Sequence, residues 1–207
     1  MPETYSTVAK SVQVKIPVGL CRFYASVREV TDEEQAKEFL AQICAQFADA
    51  THNAWAYKLG HGDQALVRYS DDGEPANTAG PPMLQAIEGN GLTNVIVVGT
   101  RYFGGVKLGI GGLIRAYRDC ALAGLQEAGV RTETIKVTVV VSNLDYAVLG
   151  DVLRELESCR SDIIAIDYQL QVSVRAAVRP RDLPALETRI RDITRGQGHL
   201  KVQTDSC

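Results

Sequence analysis

The chain has no apolar run near the roughly 18 residues that a bilayer-spanning helix needs, so no membrane span is expected. Its opening stretch, MPETYSTVAKSVQVKIPVGL, holds no basic region followed by an apolar core, so a secretory leader is not expected either. There is no Cys-x-x-Cys pair. The 5 cysteines (Cys21, Cys44, Cys120, Cys159 and Cys207) are odd in number and scattered, which suggests neither a disulfide framework nor a zinc site. They read as small buried hydrophobes, the terminal Cys207 aside. Cytoplasm is the compartment these absences leave. Positive charge is not in excess: 22 Lys+Arg face 25 Asp+Glu, a net charge of −3. That balance argues against indiscriminate nucleic-acid binding and leaves room for a local basic patch. The charges are also spread evenly. Residues 1–130 hold 11 Lys+Arg and 14 Asp+Glu, and residues 131–207 hold 11 of each, so neither end is a charged tail. No low-complexity linker interrupts the chain.

Glycine, by contrast, is concentrated. Ten of the 18 glycines fall between Gly73 and Gly112. Glycine costs backbone entropy and adds no side chain to a core. Such a cluster marks a backbone bent through unusual angles, or one that another group must approach closely. Here it lies between an acidic turn, Asp71-Asp72-Gly73-Glu74-Pro75, and a helix start carrying Arg115 and Arg118.

At 207 residues the chain suits one large domain or two small ones. Val8 to Ile16 and Arg22 to Val30 read as strands joined by a Pro17–Gly19 turn. Thr31, with Glu34 three residues on, predicts a capped helix whose apolar face runs through Ala36, Phe39, Leu40, Ile43 and Phe47. Strands are expected at Ala54–Leu59, Ala65–Tyr69 and Val95–Thr100, and helices at 78–88 and 111–128. The second half alternates in the order βαββαβ: a strand from Ile135 to Val141, a helix through Val148–Leu156, a strand at Ile163–Ile166, another from Tyr168 to Val178, a helix through Leu183–Ile193 and a strand at Leu200–Gln203. That order predicts a ferredoxin-like domain over 131–207 after a first domain over 1–130, an α+β chain.

The glycine block invites a phosphate-loop reading, because helix-start amides attract anions. The Walker pattern fails, since no Gly-Lys-Ser/Thr follows at the right gap. The dinucleotide pattern fails at Ile114, where a third glycine is needed. What remains is either a tight strand-to-helix connection or a recognition surface made of Gly104, Gly105, Gly109, Gly111 and Gly112. Arg101, Lys107, Arg115 and Arg118 flank it, with Tyr102, Phe103 and Tyr117 between them. Cations interleaved with aromatics can hold a nucleic-acid backbone and stack bases; Phe103 alone reads better as core. Asp71, Asp72 and Glu74 read either as oxygen ligands for a hard cation or as ordinary turn chemistry. His52 can serve as an acid or base, with no nucleophile placed near it in sequence.

These residues carry a resemblance. Ser70 to Pro75, then Thr78-Ala79-Gly80, Pro82-Met83-Leu84, Arg101 to Gly105, Lys107-Leu108-Gly109, Gly111-Gly112-Leu113 and Arg115-Ala116-Tyr117 look like the signature of the YigZ/IMPACT family, over about residues 10–128. Leu20-Cys21, Ala54, Asn77, Pro81 and Ile110 depart from it; the Lys missing before Cys21 and the charge missing at Pro81 thin the basic surface. The resemblance implies a first domain similar to the second domain of ribosomal protein S5. It implies a second domain similar to the last domain of elongation factor G. It also implies a role in regulating translation, as in the eukaryotic members. It brings no catalytic residue, cofactor or metal. The expected function is therefore non-catalytic: binding RNA, the ribosome or a translation-associated protein through Arg101, Lys107, Arg115, Arg118, Asp71, Asp72 and Glu74, with Arg101→Ala plus Lys107→Ala expected to lower affinity without unfolding. Two alternatives stand beside it. One is an enzyme acting on a small phosphorylated or peptide-like substrate through His52, Asp71 and Glu74. The other is a pure protein–protein adaptor.

Overall fold

The computed structural model describes residues 3–203, so the expectation about Cys207 lies outside the described residues. The chain divides into two compact α+β units, residues 5–133 and, with the few residues before Tyr5, those from Thr134 on.

The first unit is built on a five-stranded antiparallel sheet. Its strands are β2 (Val12–Val18), β3 (Cys21–Glu29), β4 (His52–Leu59), β5 (Leu66–Ser70) and β6 (Val95–Tyr102), in the order β2-β3-β6-β4-β5. Strand β6 is central and covered on both faces, which is why Val95 to Val98 form a continuous apolar run instead of an alternating one. Helix α1 (Glu33–Gln46) lies on one face, packing Phe39 and Ile43 against Tyr57, Leu59, Ile96 and Val98. Helices α2 (Gly80–Gly89) and α3 (Gly109–Ala128) cover the other face, over Phe23, Ala25, Val27, Ala54, Ala56, Val95 and Val97.

Small residues set how close α3 comes. A Cβ on Gly124 would lie 2.7 Å from Ala25 Cβ and 2.8 Å from Val27 Cγ2, so the helix backbone rests directly on β3. Gly99 plays the same part on β6, under Met83 and the Tyr117 ring.

The second unit has β8 (Val137–Leu144), α4 (Tyr146–Ser158), β9 (Asp162–Tyr168), β10 (Val172–Val178), α5 (Leu183–Ile193) and β11 (His199–Val202). The sheet order β11-β8-β10-β9 is that of a ferredoxin-like βαββαβ fold, and α4 and α5 bury Val152, Leu156, Leu186 and Ile190 against the inner face.

Four local readings are corrected. The expected first strand is two, because β1 (Thr4–Val8) ends before Ala9 and β2 begins at Val12. Strand β1 pairs with β7 (Val130–Thr134), an element hidden from periodicity because its residues are almost all exposed. The cap of α1 is Asp32 rather than Thr31: Asp32 Oδ1 accepts from Gln35 N at 2.8 Å, and the Gln35 side chain accepts from Thr31 N, so Gln35 and not Glu34 makes the return bond. The alternation through Tyr168 and Leu170 spans a turn between β9 and β10. Leu170 there is wholly exposed, and no Gly, Pro or Asn marks the reversal.

Gly124→Ala tests the close approach. Helix propensity alone favours it by about 1 kcal/mol. The overlap with β3 should reverse that sign and destabilise the unit by about 1–3 kcal/mol. Denaturation followed by the fluorescence of Trp55, the one tryptophan, on β4, reads this unit directly; a stabilised variant would refute the packing account.

Candidate functional site

Sheet register brings the site together. Arg101 pairs across β6 with Phe23 on β3 and with His52 on β4, so the three stand in a row on the α2/α3 face at one end of the sheet. Alternation along β6 puts Arg101 on the same side as Val95, Val97 and Gly99, which points it inward. It is 5% exposed.

Its partner is Glu74, also buried. Arg101 Nη1 donates to Glu74 Oε1 at 2.7 Å and to Oε2 at 3.0 Å, and Tyr117 of α3 donates its hydroxyl to Oε1 at 2.7 Å. Arg101 Nη2 lies 3.8 Å from Cys21 Sγ, and the guanidinium stands 6.0 Å from the Phe23 ring and 5.5 Å from the Phe103 ring. Burial works against the charge on Arg101, but the hydrogen bonds and charges of Glu74 and Cys21 together outweigh it, so the pKa lies above its ordinary value. Burial first, and then the bond to Glu74, pushes the Tyr117 phenol far above the usual tyrosine range.

The loop that delivers Glu74 is folded by its neighbours. Asp71 Oδ1 accepts from the amides of Ala79 and Gly80 at 2.9 Å each, and Oδ2 accepts from Asn77 N at 2.7 Å. That carboxylate occupies the N-terminus of α2, where a negative charge is favoured. Asp72 Oδ2 accepts from Asn53 N at 2.6 Å. Asp72 (φ 45) and Gly73 (φ 82) are both left-handed, which turns Glu74 back into the protein. His52 Nδ1 lies 2.7 Å from the Asp72 carbonyl. A carbonyl can only accept, so Nδ1 carries the proton, and in the neutral ring Nε2 does not. Nε2 is 3.9 Å from Glu74 Oε2.

A depression of about 400 Å³ opens above this cluster, between His52, Glu74 and Arg101 on one side and Phe103 and Lys107–Ile110 on the other. The expected site residues thus separate. Arg101 and Glu74 form the floor and are not a free surface, which corrects their reading as exposed binding groups; the Arg101→Ala part of the expected double variant would strike the core. Asp71 and Asp72 hold backbone amides. Lys107, Arg115 and Arg118 are exposed. Tyr117 is fully buried and binds the carboxylate instead of stacking on a ligand, whereas Phe103, read as core, is 46% exposed at the rim. Among the glycines, Gly104 has a packing role: a Cβ there would sit 2.1 Å from the Leu20 carbonyl oxygen. Gly105 (φ 86) and Gly109 (φ 71) are left-handed, a Cβ on Gly111 would meet Arg115 Nη1 at 3.8 Å, and Gly112 packs on Leu108. Among the described residues, no three His, Cys, Asp or Glu side chains converge as a metal shell. Nor is any helix among them long and apolar enough to cross a membrane.

Fold and site define a two-domain α+β protein whose first domain carries the buried acid–base cluster. The family model for the Impact N-terminal domain matches residues 20–125, and that for a domain of unknown function, DUF1949, matches 143–197. The chain is 35% identical over 201 residues to the IMPACT family member YvyE of Bacillus subtilis, covering 97% of this chain and 92% of that one. It is 32% identical to the IMPACT family member YigZ of Escherichia coli, over 96% and 97% of the two chains. Mouse Protein IMPACT is 37% identical over 112 residues, which span 52% of this chain and 35% of the mouse protein. A solved structure described as that of a hypothetical protein superposes with a TM-score of 0.78 at 30% identity, over 100% of both chains. The chain belongs to the IMPACT family.

The cluster predicts its own energetics. Glu74→Gln leaves Arg101 buried without a counter-charge and should cost about 3–5 kcal/mol. Tyr117→Phe removes one bond to a charged acceptor and should cost about 1–3 kcal/mol. The phenol's pKa is raised in the folded state, so its contribution is complete below the unfolded value of 10.0 and is lost as pH rises beyond it. Wild type should therefore lose stability above about pH 10 more steeply than Tyr117→Phe. Equal slopes in a pH series of denaturation curves would show that the phenol is not held as described.

Proposed function

We propose that this protein regulates translation by binding, and that its target is the ribosome or RNA, met by the exposed segment from Phe103 to Arg118. The observation that carries this reading is the mixed character of that segment. Lys107 and Arg115 are exposed and pair with no acidic side chain among the described residues, and Arg118 stands on the same helix. Between them lie Phe103, Val106, Ile110 and Ile114, all exposed, with Val106 at 57% and Ile110 at 66%. Apolar side chains grouped on a surface mark interaction sites. Unpaired cations beside them select an anionic partner. Family membership supports the link to translation, in keeping with the regulatory role that the resemblance implies for the eukaryotic members.

One observation favours an enzyme instead: His52 lines the depression with its Nε2 3.9 Å from Glu74 Oε2. Asp71, the third group such a mechanism would use, is held by three backbone amides, so the acid–base set is reduced to His52 and Glu74.

Co-sedimentation with ribosomes and with free RNA across a salt series tests the binding reading. The informative variant is Lys107→Glu with Arg115→Glu, both exposed, so the fold is kept. Wild-type retention should fall with salt. The double reversal should flatten the salt slope by about one unit for each phosphate no longer neutralised, with at least about a tenfold drop in affinity at low salt. Retention that ignores both salt and the variant would overturn an RNA target and favour a protein partner. Abolished retention on His52→Ala alone would favour the depression over the cationic segment.

A further inference from the structure

We propose that the depression beside Phe103 seats one unpaired base of a single-stranded RNA; this rests on the binding reading above and names the form of RNA its surface would take. Phe103 is the ring that carries the inference. It follows directly on β6, and its amide donates to Thr51 Oγ1 at 3.0 Å. The Arg101 guanidinium, itself held by Glu74, stands 5.5 Å from its centroid. The residue is thus braced through its backbone and beside its ring. Even so the side chain stays at the rim, 46% exposed, and lines the depression. A fixed aromatic ring left open to water offers a flat surface to another flat ring, and every base has one.

The rest of the lining fits a base better than it fits a protein side chain. Leu108, Ile110 and Leu113 make apolar walls around a space of about 400 Å³, which admits a base. A base inside a duplex is already stacked on both faces and cannot enter it. Thr51 and His52 bring polar atoms to the same walls. The heteroatoms along the edge of a base can meet them, whereas an aliphatic side chain would cover them without a partner.

Charge complementarity selects the occupant. Lys107 lines the depression, and Arg115 reaches back over the first turn of α3, where a Cβ on Gly111 would meet its Nη1 at 3.8 Å. Both residues are exposed, so their charges flank the opening and are not spent on its floor. The phosphates on either side of a seated base would meet them. A stacking ring with cations beside it is the combination that holds single strands without choosing their sequence.

The test uses the full chain and three labelled probes: a mixed-sequence RNA dodecamer, the same dodecamer annealed to its complement, and a ribose-phosphate strand of equal length and charge with hydrogen in place of every base. Binding is read by fluorescence anisotropy at one fixed salt concentration. The single strand should bind at least about tenfold tighter than the baseless strand, the worth of a stacked base. It should also bind tighter than the duplex, whose higher charge density a surface reading phosphate alone would prefer. Phe103→Leu keeps an apolar side chain beside Arg101 but offers no aromatic face, and should remove both preferences; Phe103→Tyr should keep them. Equal binding of the single and baseless strands, or Phe103→Leu behaving as wild type, overturns the base seat; salt-dependent binding of all three probes in that case would leave the RNA reading standing on its cations. Binding of none of the three at low salt overturns the seat and the RNA target together. Ribosome retention that is then lost in Phe103→Leu would put a protein side chain in the depression instead.

Discussion

The ion pair between Glu74 and Arg101 is the constraint on which the rest of the first domain's working end depends. Two opposite charges removed from water are stable together only when each is well hydrogen-bonded. Here Glu74 receives Arg101 and Tyr117, and the three come from a loop, the central strand and the long helix. The pair therefore joins elements that sequence distance keeps apart. It also explains the acidic turn. Asp71 and Asp72 hold amides that shape the loop, so that the carboxylate turned inward is Glu74. His52 completes the arrangement, its Nδ1 committed to the Asp72 carbonyl and its Nε2 facing the carboxylate.

A buried charge of this kind needs a backbone that can come close on every side. Gly99 lets the Tyr117 ring lie on β6, and Gly124 seats α3 on β3, which together bring the phenol to the carboxylate. Gly104 lets the chain leaving β6 touch the backbone at Leu20, which aims the following segment over the depression. The glycine concentration is thus two features superposed. Part of it is packing around the ion pair; part, at Gly105, Gly109 and Gly111, is an open strand-to-helix connection that presents amides and exposed side chains.

That superposition shows what is legible in the sequence and what is not. Elements with a strong period are readable: the βαββαβ order of the second domain, α1 with its apolar stripe, and the buried run of β6. Strand β7 is not, because an exposed edge has no apolar pattern. The site residues can be located, but the depth of two of them cannot be read from residue type. The general preference of arginine for water puts Arg101 outside. The alternation Val95, Val97, Gly99 already sends it inward, and only its partner, 27 residues earlier in the chain, makes that burial tolerable. Phe103 misleads in the opposite sense, since two residues beyond Arg101 the strand has ended and parity no longer applies. Tyr117 carries a usable signal: Leu113, Ala116, Tyr117 and Cys120 share the helix face that packs on the sheet.

The burial of Arg101 changes what the surface above it can do. An exposed arginine would be a mobile, hydrated cation with no preferred geometry. Held by Glu74 and flanked by Phe23 and Phe103, the guanidinium is instead a fixed array of donors beneath a depression. Part of its charge is answered by Glu74, so it does not attract anions from a distance; Lys107 and Arg115, exposed at the rim and beyond, are the groups that can. Attraction and fit are thereby assigned to different residues. On the proposed binding reading, the outer cations govern encounter and its salt dependence, and the inner cluster holds the shape of the surface that is met. On that reading, substitutions at Lys107 act on the rate of association, and those in the buried cluster on the shape of the depression and on the fold that builds it.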